Sequence, residues 1–192
     1  MYVMNLDRNW FMRASVRSPL CRALTLILCL LVVLATAVAE EKLFKQTNNS
    51  MDPTIVAGEK FAVNMDAYRT VQPARGDVIV LEQDGILVVK RIAAVGGDTI
   101  EGKAGQVFLN GKLLDGNSGR NKAELRPEFS FLDNFGPVKV PPGQFFVLGD
   151  NRAYSRDSRD PAFGLVPATQ VRGRVLRIAR SHLEGRTSKP IK

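Results

Sequence analysis

The sequence has almost no cysteine or histidine, and this scarcity excludes several classes of enzyme. Of its 192 residues only Cys21 and Cys29 are cysteines, and His182 is the single histidine. No disulfide framework, thiolate zinc site or cysteine nucleophile can therefore form after residue 29. A Ser-His-Asp triad would need His182, in the basic C-terminal tail, as its base. There is no HExxH zinc motif, and no recognisable motif supports a catalytic carboxylate pair.

Basic residues outnumber acidic residues at the two ends of the chain, but not between them. Residues 1–39 carry four Arg against one Asp, and residues 172–192 carry seven Lys or Arg against one Glu. Residues 40–171 are close to neutral. Nucleic-acid-binding domains usually show a basic stripe on the folded body, so we expect no nucleic-acid partner. The basic ends fit either solvated tails or the flanks of a membrane protein beside anionic headgroups.

One uncharged apolar run, residues 23–39, predicts a membrane anchor. A helix of this length would span roughly 26 Å, slightly less than a hydrocarbon core of about 30 Å. Arginines precede the run, and Glu40 and Glu41 follow it. The positive-inside rule then places residues 1–22 in the cytoplasm and the domain 40–192 outside a cytoplasmic (inner) membrane, with a single crossing.

A cleavable signal peptide is the alternative interpretation of the same run. Its basic region, apolar stretch and small-residue ending Ala37-Val38-Ala39 fit that pattern as well. A buried core helix is less favoured, because the run has no polar face. A retained anchor and a cleaved leader both send the domain across the membrane, and the sequence leaves open which applies.

The domain after residue 40 is predicted to be mainly β. Alternating or short apolar runs bounded by turn residues indicate seven strands: Lys60–Met65, Asp77–Leu81, Ile86–Val95, Gln106–Leu109, Lys112–Leu114, Gln144–Leu148 and Val171–Ala179. Asn110-Gly111 is a strong hairpin signal. Lys42–Asn49 is predicted as a polar lead-in and residues 115–134 as an exposed, irregular excursion. Val171–Ala179 alternates Arg with apolar residues, as a half-buried edge strand would.

Elimination leaves Ser or Thr activated by Lys as the nucleophilic mechanism open to this domain. A lysine acts as a base only when neutral, and burial lowers its pKa from about 10.4 by penalising the charged form. Lys90 lies in the apolar run Ile86–Val95 and fits that requirement, although a strand lysine more often faces solvent. Ser50 precedes the Met51–Thr54 turn signal and could simply brace that turn. Neither residue alone identifies a site.

Four segments, taken in order, resemble bacterial signal peptidase I over about residues 44–180. They are Ser50-Met51-Asp52-Pro53-Thr54 (the nucleophile box), Arg75-Gly76-Asp77-Val78, Lys90-Arg91 followed by Gly96-Gly97-Asp98 (the general-base strand and turn), and Gly149-Asp150-Asn151-Arg152 continuing to Phe163-Gly164. One Ser-Met-x-Pro box is a weak signal. Four boxes in order behind a long apolar run are specific.

The resemblance implies a signal-peptidase/LexA-like β fold preceded by one N-terminal transmembrane helix, and a serine endopeptidase activity without metal or cofactor. Ser50 would attack the scissile carbonyl, Lys90 would accept its proton, and the Ser50 backbone N–H would bind the oxyanion. Ser155 would hydrogen-bond Lys90 and orient it. The structural support expected around them is an Asp157–Arg159 ion pair with Asp150, Arg152 and Ser158 nearby.

Two positions depart from the family pattern. Many members carry Ser or Gly two residues before the nucleophile, where a hydroxyl supplies a second oxyanion donor, and this chain has Asn48. We predict that the Asn48 amide donates that bond. Some members have an aromatic residue two before the lysine, where this chain has Val88, so the lysine pocket would be shaped differently.

The resemblance implies exported preproteins as partners, cut after small-x-small (Ala-x-Ala) sites close to membrane lipid and the secretion translocon. An extended substrate would add as a strand, with alternate side chains in two small pockets. Ala37-Val38-Ala39 fits the same rule, so self-cleavage before Glu40 is a further hypothesis.

Three other functions remain open at this stage. A specialised relative, such as a conjugative pilus-maturation peptidase, would have a dedicated substrate. A self-cleaving repressor of the LexA type shares the Ser-Lys chemistry, but would carry a DNA-binding domain where this chain has an apolar run. An inactive, membrane-tethered module that binds signal sequences would have no need of both Ser50 and Lys90.

Overall fold

The computed structural model describes residues 41–114, 132 and 134–191. The predicted anchor 23–39 and nearly all of the predicted excursion 115–134 lie outside the described residues. Within the described ranges, no helix is long and apolar enough to cross a membrane.

Eleven strands form two antiparallel sheets in the described part of the chain. They are β1 Glu41–Lys45, β2 Lys60–Asn64, β3 Val78–Gln83, β4 Ile86–Val95, β5 Thr99–Lys103, β6 Gln106–Leu109, β7 Lys112–Leu113, β8 Phe135–Lys139, β9 Gln144–Leu148, β10 Val166–Pro167 and β11 Val171–Arg180. The larger sheet has the order β1-β2-β11-β3-β4-β9-β10, and the smaller has the order β7-β6-β5-β8. The predicted mainly β class is confirmed.

The centre of the larger sheet is covered on both faces, as the unbroken apolar run of β3 requires. Val78 and Val80 face one apolar cluster, and Ile79 and Leu81 face another. The first cluster also contains Met51 and Ile55, which are both 0% exposed. Because these two side chains come from the turn after Ser50, burial of apolar surface holds that turn against the sheet.

The last strand corrects one prediction. β11 was expected at a sheet edge, but it pairs with β2 on one side and β3 on the other. Val175 and Ile178 are buried, whereas Arg172 and Arg174 point outward and form ion pairs with Glu82 and Asp77. Alternation of apolar and charged residues therefore indicates that one face of the strand is buried. It does not indicate whether the strand lies at the edge or inside the sheet.

The edge strands of the larger sheet in the described residues are instead β10 and β1, and β1 lies in the segment predicted to be a polar lead-in. Its five residues pair with β2, with Leu43 opposite Ala62 and Phe44 opposite Phe61. Leu43 is exposed and Phe44 stacks on Phe61. A strand with one neighbour buries few side chains, so its sequence carries little apolar signal.

The basic C-terminal segment is folded onto the larger sheet and is not a solvated tail. The N–H of Ile178 donates to the carbonyl of Lys189 at 2.9 Å. Arg186 donates to the fully buried Glu59 at 2.6 Å and to the carbonyls of Pro53 and Thr54 at 3.0 Å. Although burial opposes ionisation, the bonds from Arg186 and Ser181 lower the pKa of Glu59 to about 2. The ion pair between Arg186 and Glu59, called here the Arg186–Glu59 clamp, thus holds the turn that follows Ser50.

The smaller sheet contains the predicted hairpin and none of the predicted site residues. Asn110 and Gly111 join β6 to β7 with φ values of 50° and 76°, the positive values that a tight Asn-Gly turn requires. Arg75 reaches this region with a two-pronged contact to Asp98 at 3.0 and 2.9 Å, and Asn110 donates to the same carboxylate at 2.8 Å.

Candidate active site

Ser50 is held in a short turn between β1 and β2 and is 5% exposed. Its carbonyl accepts the N–H of Asn151 at 3.0 Å, and the carbonyl of Met51 accepts the N–H of Ile55 at 2.9 Å. The first bond joins the nucleophile box to the Gly149–Arg152 box, which lies far later in the chain. The position of the Ser50 peptide is therefore fixed by tertiary contacts as well as by its own turn.

Lys90 lies in the middle of β4, opposite Ile79 of β3, and is 5% exposed. Burial lowers the pKa of its ammonium below the ordinary lysine value, and the negative charge of Asp157 only partly opposes that shift. The alternative of a solvent-facing strand lysine is thereby excluded for Lys90. A lysine in this setting is biased towards the neutral form that a base requires.

Ser50 and Lys90 line one cleft. The residues that line it are Phe44, Lys45, Gln46, Thr47, Asn48, Ser50, Phe61, Val80, Ile86, Leu87, Val88, Val89 and Lys90. Val88, noted above as a departure, is among them. The cleft thus runs between the segment that leads into Ser50 and the first half of β4.

Gly149 brings the fourth box against Ser50. A Cβ placed on Gly149 would lie 2.2 Å from Ser155 Oγ and 2.6 Å from the Ser50 carbonyl oxygen, so no larger residue fits without movement. The N–H of Gly149 donates to Asp157 at 3.0 Å. Glycine is required here by the close approach of two backbones and one hydroxyl.

Ser155 does not form the hydrogen bond that was expected with Lys90. Its hydroxyl is fully buried and has no hydrogen-bond partner among the residues that the structure describes. The hydroxyl is directed at Gly149, as the distance above shows. An unpaired buried hydroxyl costs about 1–3 kcal/mol.

Asp157 and Arg159 form the expected ion pair. Arg159 Nε donates to Asp157 at 2.8 Å, and the two side chains are 4% and 0% exposed. Arg159 also donates to the carbonyls of Arg152 and Ser155. Burial would raise the pKa of Asp157, but the charge and hydrogen bonds of Arg159 hold it below its ordinary value. Asp157 therefore remains a fixed negative charge near Lys90.

Asp150 is paired with Arg91, a contact that the sequence did not predict. Arg91 Nε and Nη2 donate to the two oxygens of Asp150 at 2.8 and 2.7 Å, and the hydroxyl of Thr54 donates to the same carboxylate. Arg91 adjoins Lys90, and Thr54 belongs to the nucleophile box. One carboxylate thus joins three of the four boxes, and only the adjacency of Arg91 to Lys90 hinted at it.

Arg152 and Ser158 bind the backbone. Arg152 Nε donates to the Gly149 carbonyl at 2.9 Å, and burial lowers the pKa of Arg152 to about 10. The Ser158 hydroxyl accepts the N–H of Val147 at 3.0 Å, and the Ser158 N–H donates to the Val147 carbonyl. Both residues hold the loop after β9 in place.

Asn48 presents its oxygen to Ser50, where a donor was predicted. The Ser50 N–H donates to Asn48 Oδ1 at 3.0 Å, forming a turn closed by the side chain. The same oxygen accepts from Gln46 Nε2 at 3.0 Å. Gln46 was not singled out from the sequence, because a glutamine before a turn carries no distinctive signal.

Clustered metal ligands are not found in the described ranges, where no group of three or more His, Cys, Asp or Glu side chains could hold an ion.

Comparisons with known families and curated relatives place the chain among the signal peptidases. A family model described as "Signal peptidase, peptidase S26" matches residues 18–179. Signal peptidase I S of Bacillus subtilis (strain 168) is 41% identical over 128 residues, which cover 65% of this chain and 69% of the relative. Probable signal peptidase I-2 of Synechocystis is 33% identical over 153 residues, covering 76% and 65%. The crystal structure of a signal peptidase I from Enterococcus faecalis V583 aligns at 30% identity with a TM-score of 0.44, covering 54% of this chain and 96% of that one.

Proposed function

We propose, from the premise that the chain belongs to the signal peptidase family, peptidase S26, that Ser50 and Lys90 carry its reaction. That reaction is the removal of signal peptides from exported preproteins by a serine protease. The observation that carries the assignment is a lysine with 5% exposure, within an apolar strand, on the cleft that also contains Ser50. Perturbed titratable groups that share a cleft with a nucleophile are typical of functional sites.

The proposed reaction needs no group beyond the chain and water. The Ser50 hydroxyl transfers its proton to neutral Lys90 while its oxygen bonds to the scissile carbonyl carbon. Lys90 returns the proton to the departing amine, leaving an ester on Ser50. A water molecule, deprotonated by Lys90, then releases the new carboxyl end and restores the Ser50 hydroxyl. The Ser50 N–H is one donor to the oxyanion once Asn48 Oδ1 leaves it.

The surrounding charges support this reaction by fixing geometry. Asp150, held by Arg91 and Thr54, keeps the nucleophile box and the base strand in register. The Ser155 hydroxyl, unpaired in this structure, is proposed to accept a hydrogen bond from Lys90 when the lysine becomes protonated. Asp157 stabilises the same transient ammonium by its charge. These groups act through Lys90 and Ser50 and do not touch the substrate.

The cleft suits an extended peptide with small apolar side chains. In the described part β1 pairs only with β2, and β4 pairs with β9 only from Arg91 onward, so Ile86–Val89 presents a second unshared strand edge. A peptide laid between these edges gains main-chain hydrogen bonds, and alternate side chains meet Phe44 and Val88. We propose cleavage after Ala-x-Ala on this basis.

The membrane placement also remains a proposal. Residues 23–39 would anchor the chain once, with residues 1–22 in the cytoplasm and the domain outside, near the translocon and in contact with lipid. If this segment is retained, it would hold the cleft near the membrane surface, where a preprotein emerges from the translocon.

The test is cleavage of a preprotein whose leader ends in Ala-x-Ala by detergent-solubilised wild type, Ser50→Ala and Lys90→Ala, with products mapped by mass. We expect the wild type to cut after the second small residue and both variants to lose that product. Equal cutting by all three would assign the activity to a contaminant or another mechanism. Absence of cutting by the wild type, in a preparation that binds the preprotein, would contradict the general peptidase.

A further inference from the structure

The backbone N–H that an oxyanion hole requires is already occupied. Asn48 Oδ1 lies 3.0 Å from Ser50 N and 3.0 Å from Gln46 Nε2. Oxyanion donors lie about 2.7–3.1 Å from the oxygen that they stabilise. An amide oxygen between two such N–H groups has the chemistry and the distances of a scissile carbonyl in its hole. Asn48 Oδ1 thus lies where the carbonyl oxygen of a substrate would accept the same two hydrogen bonds.

The two donors are fixed by other contacts. Gln46 is 5% exposed, its N–H donates to the Glu59 carbonyl at 2.9 Å, and its carbonyl accepts the Gly58 N–H at 2.8 Å. The carbonyl of Ser50 is held by Asn151. Asn48, by contrast, is exposed. Its side chain can therefore turn away while both donors stay in place.

The orientation of the Gln46 amide is set independently of the Asn48 side chain. Gln46 Nε2 also donates to the backbone carbonyl of Asn48 at 3.0 Å. The two N–H groups of this amide thus have two acceptors, the Asn48 carbonyl and Asn48 Oδ1. When Asn48 Oδ1 departs, the second N–H loses its acceptor inside a cleft, where an unpaired donor is unfavourable. A carbonyl oxygen that arrives there restores both bonds.

We propose that Gln46 supplies the second oxyanion-hole donor and that Asn48 fills the hole until the substrate carbonyl displaces it. The inference rests on the proposed function, since it assigns donors to the same attack by Ser50. As the Ser50 oxygen bonds to the carbonyl carbon, the C=O electron pair moves to oxygen, which then accepts from Ser50 N–H and Gln46 Nε2. A donor role for Asn48 would require both amides to turn over, because Gln46 Nε2 faces its oxygen.

Asn48→Ala distinguishes an occupant of the oxyanion hole from an oxyanion donor, because the two roles predict changes in the cleavage rate of opposite sign. Removal of an occupant should raise kcat/KM by between about twofold and tenfold, the worth of one neutral hydrogen bond. Removal of a donor should lower kcat by about 10²–10³-fold. A fall of that size overturns the proposal.

Gln46→Met tests the new donor with a side chain of similar length and no N–H. We expect kcat to fall about 10²–10³-fold with little change in KM, because the bond strengthens in the transition state. A substrate-derived peptide aldehyde, which forms a tetrahedral adduct with Ser50, should lose affinity by a similar factor, whereas the parent peptide should not. A merely structural role would weaken both alike. Should Gln46→Met unfold, Gln46→Glu has the shape of Gln without the donor, and because its negative charge also repels the oxyanion, it should show at least the same loss.

The double variant Gln46→Met/Asn48→Ala shows whether Gln46 acts directly. The loss caused by Gln46→Met should persist in the Asn48→Ala background, and its disappearance would mean that Gln46 acts only through Asn48. Asn49→Ala, at the neighbouring exposed position, is the matched control. If Ser50→Ala abolishes cleavage while Gln46→Met leaves kcat intact, only this inference fails. If the wild type does not cleave, the proposed function fails and this inference with it.

Discussion

The two sheets differ in the number of buried charged side chains that lie in or beside them. Around the larger sheet Lys90, Asp150, Asp157 and Arg159 are all buried. In the smaller sheet no charged residue of a described strand is buried, and Lys103, the lysine of β5, is 65% exposed in its pair with Glu101. Both sheets are antiparallel and have apolar cores, so the difference does not come from architecture.

The difference shows in which part of the fold charged side chains are buried despite the energetic cost. A charge taken out of water destabilises the fold unless it is paired and hydrogen-bonded. The larger sheet accepts several such charges within one region and pairs each carboxylate, while Lys90 is left with a lowered pKa. Beside the smaller sheet, Asp98 is buried as well, and Arg75 and Asn110 pair its carboxylate. We infer that the buried charges serve the reaction proposed at Ser50.

The sharpest test of this contrast exchanges one lysine in each sheet. Lys90→Met should lower kcat/KM by about 10²–10⁴-fold, because the general base is lost while an apolar side chain fits its apolar surroundings. Lys103→Met, in the smaller sheet, should leave cleavage within about twofold. Cleavage of a preprotein under single-turnover conditions measures both. Comparable losses in the two variants would erase the distinction between the sheets.

The next contrast concerns stability, and it compares the ion pair in the loop after β9 with an ion pair of the smaller sheet. Asp157→Asn leaves Arg159 buried without its counter-charge, which should lower the free energy of unfolding by about 3–5 kcal/mol. Glu101→Gln breaks an exposed pair, for which about 0.2–1 kcal/mol is typical. Urea denaturation of the two variants gives both values. A loss below about 1 kcal/mol for Asp157→Asn would show that the buried pair does not hold the loop.

A smaller effect on stability is expected from two glycines. Gly149→Ala forces a methyl group against Ser155 and the Ser50 carbonyl, which should cost about 1–3 kcal/mol. Gly111→Ala has free space but a φ of 76°, at a cost of about 1–2 kcal/mol. Only Gly149→Ala should also lower cleavage, by about 10²-fold, since it displaces the nucleophile. Thermal melts combined with initial rates separate the two outcomes, and equal rates would contradict the proposed closeness of Gly149 to the reacting group.

The strands that the sequence predicted are those whose pattern is local. β3, β4 and β9 have apolar runs bounded by turns, and the Asn110-Gly111 hairpin carries its own signal. β5 was missed because Thr99–Lys103 is short and mixed, and it pairs with β8 across an intervening stretch of more than 30 residues. Pairing over such distances leaves no trace in a window of ten residues. β11 was misplaced at an edge for the same reason.

The site shows the same division between features with a local sequence pattern and contacts between distant residues. Ser50, Lys90 and the Gly149 box were located by their motifs, whereas the contacts that join them were not. The Arg91–Asp150 pair spans 59 positions and the Arg186–Glu59 clamp spans 127, so neither has a local pattern. The direction of the Asn48 amide depends on Gln46 and on the backbone of Ser50. Residue types reveal which groups are available, and tertiary contacts decide which of their atoms face one another.

The central claim, a neutral buried lysine acting on Ser50, is tested most directly by the pH dependence of kcat/KM. Protonated Lys90 cannot accept a proton, so activity should fall as the pH drops through the pKa of Lys90. Because burial lowers that pKa, we expect the midpoint of the fall below the ordinary lysine value of about 10.4. The profile should be unchanged in His182→Ala, which removes the only histidine. A midpoint at or above the ordinary lysine value, or a midpoint that disappears with His182, would contradict the assignment of Lys90 as the base.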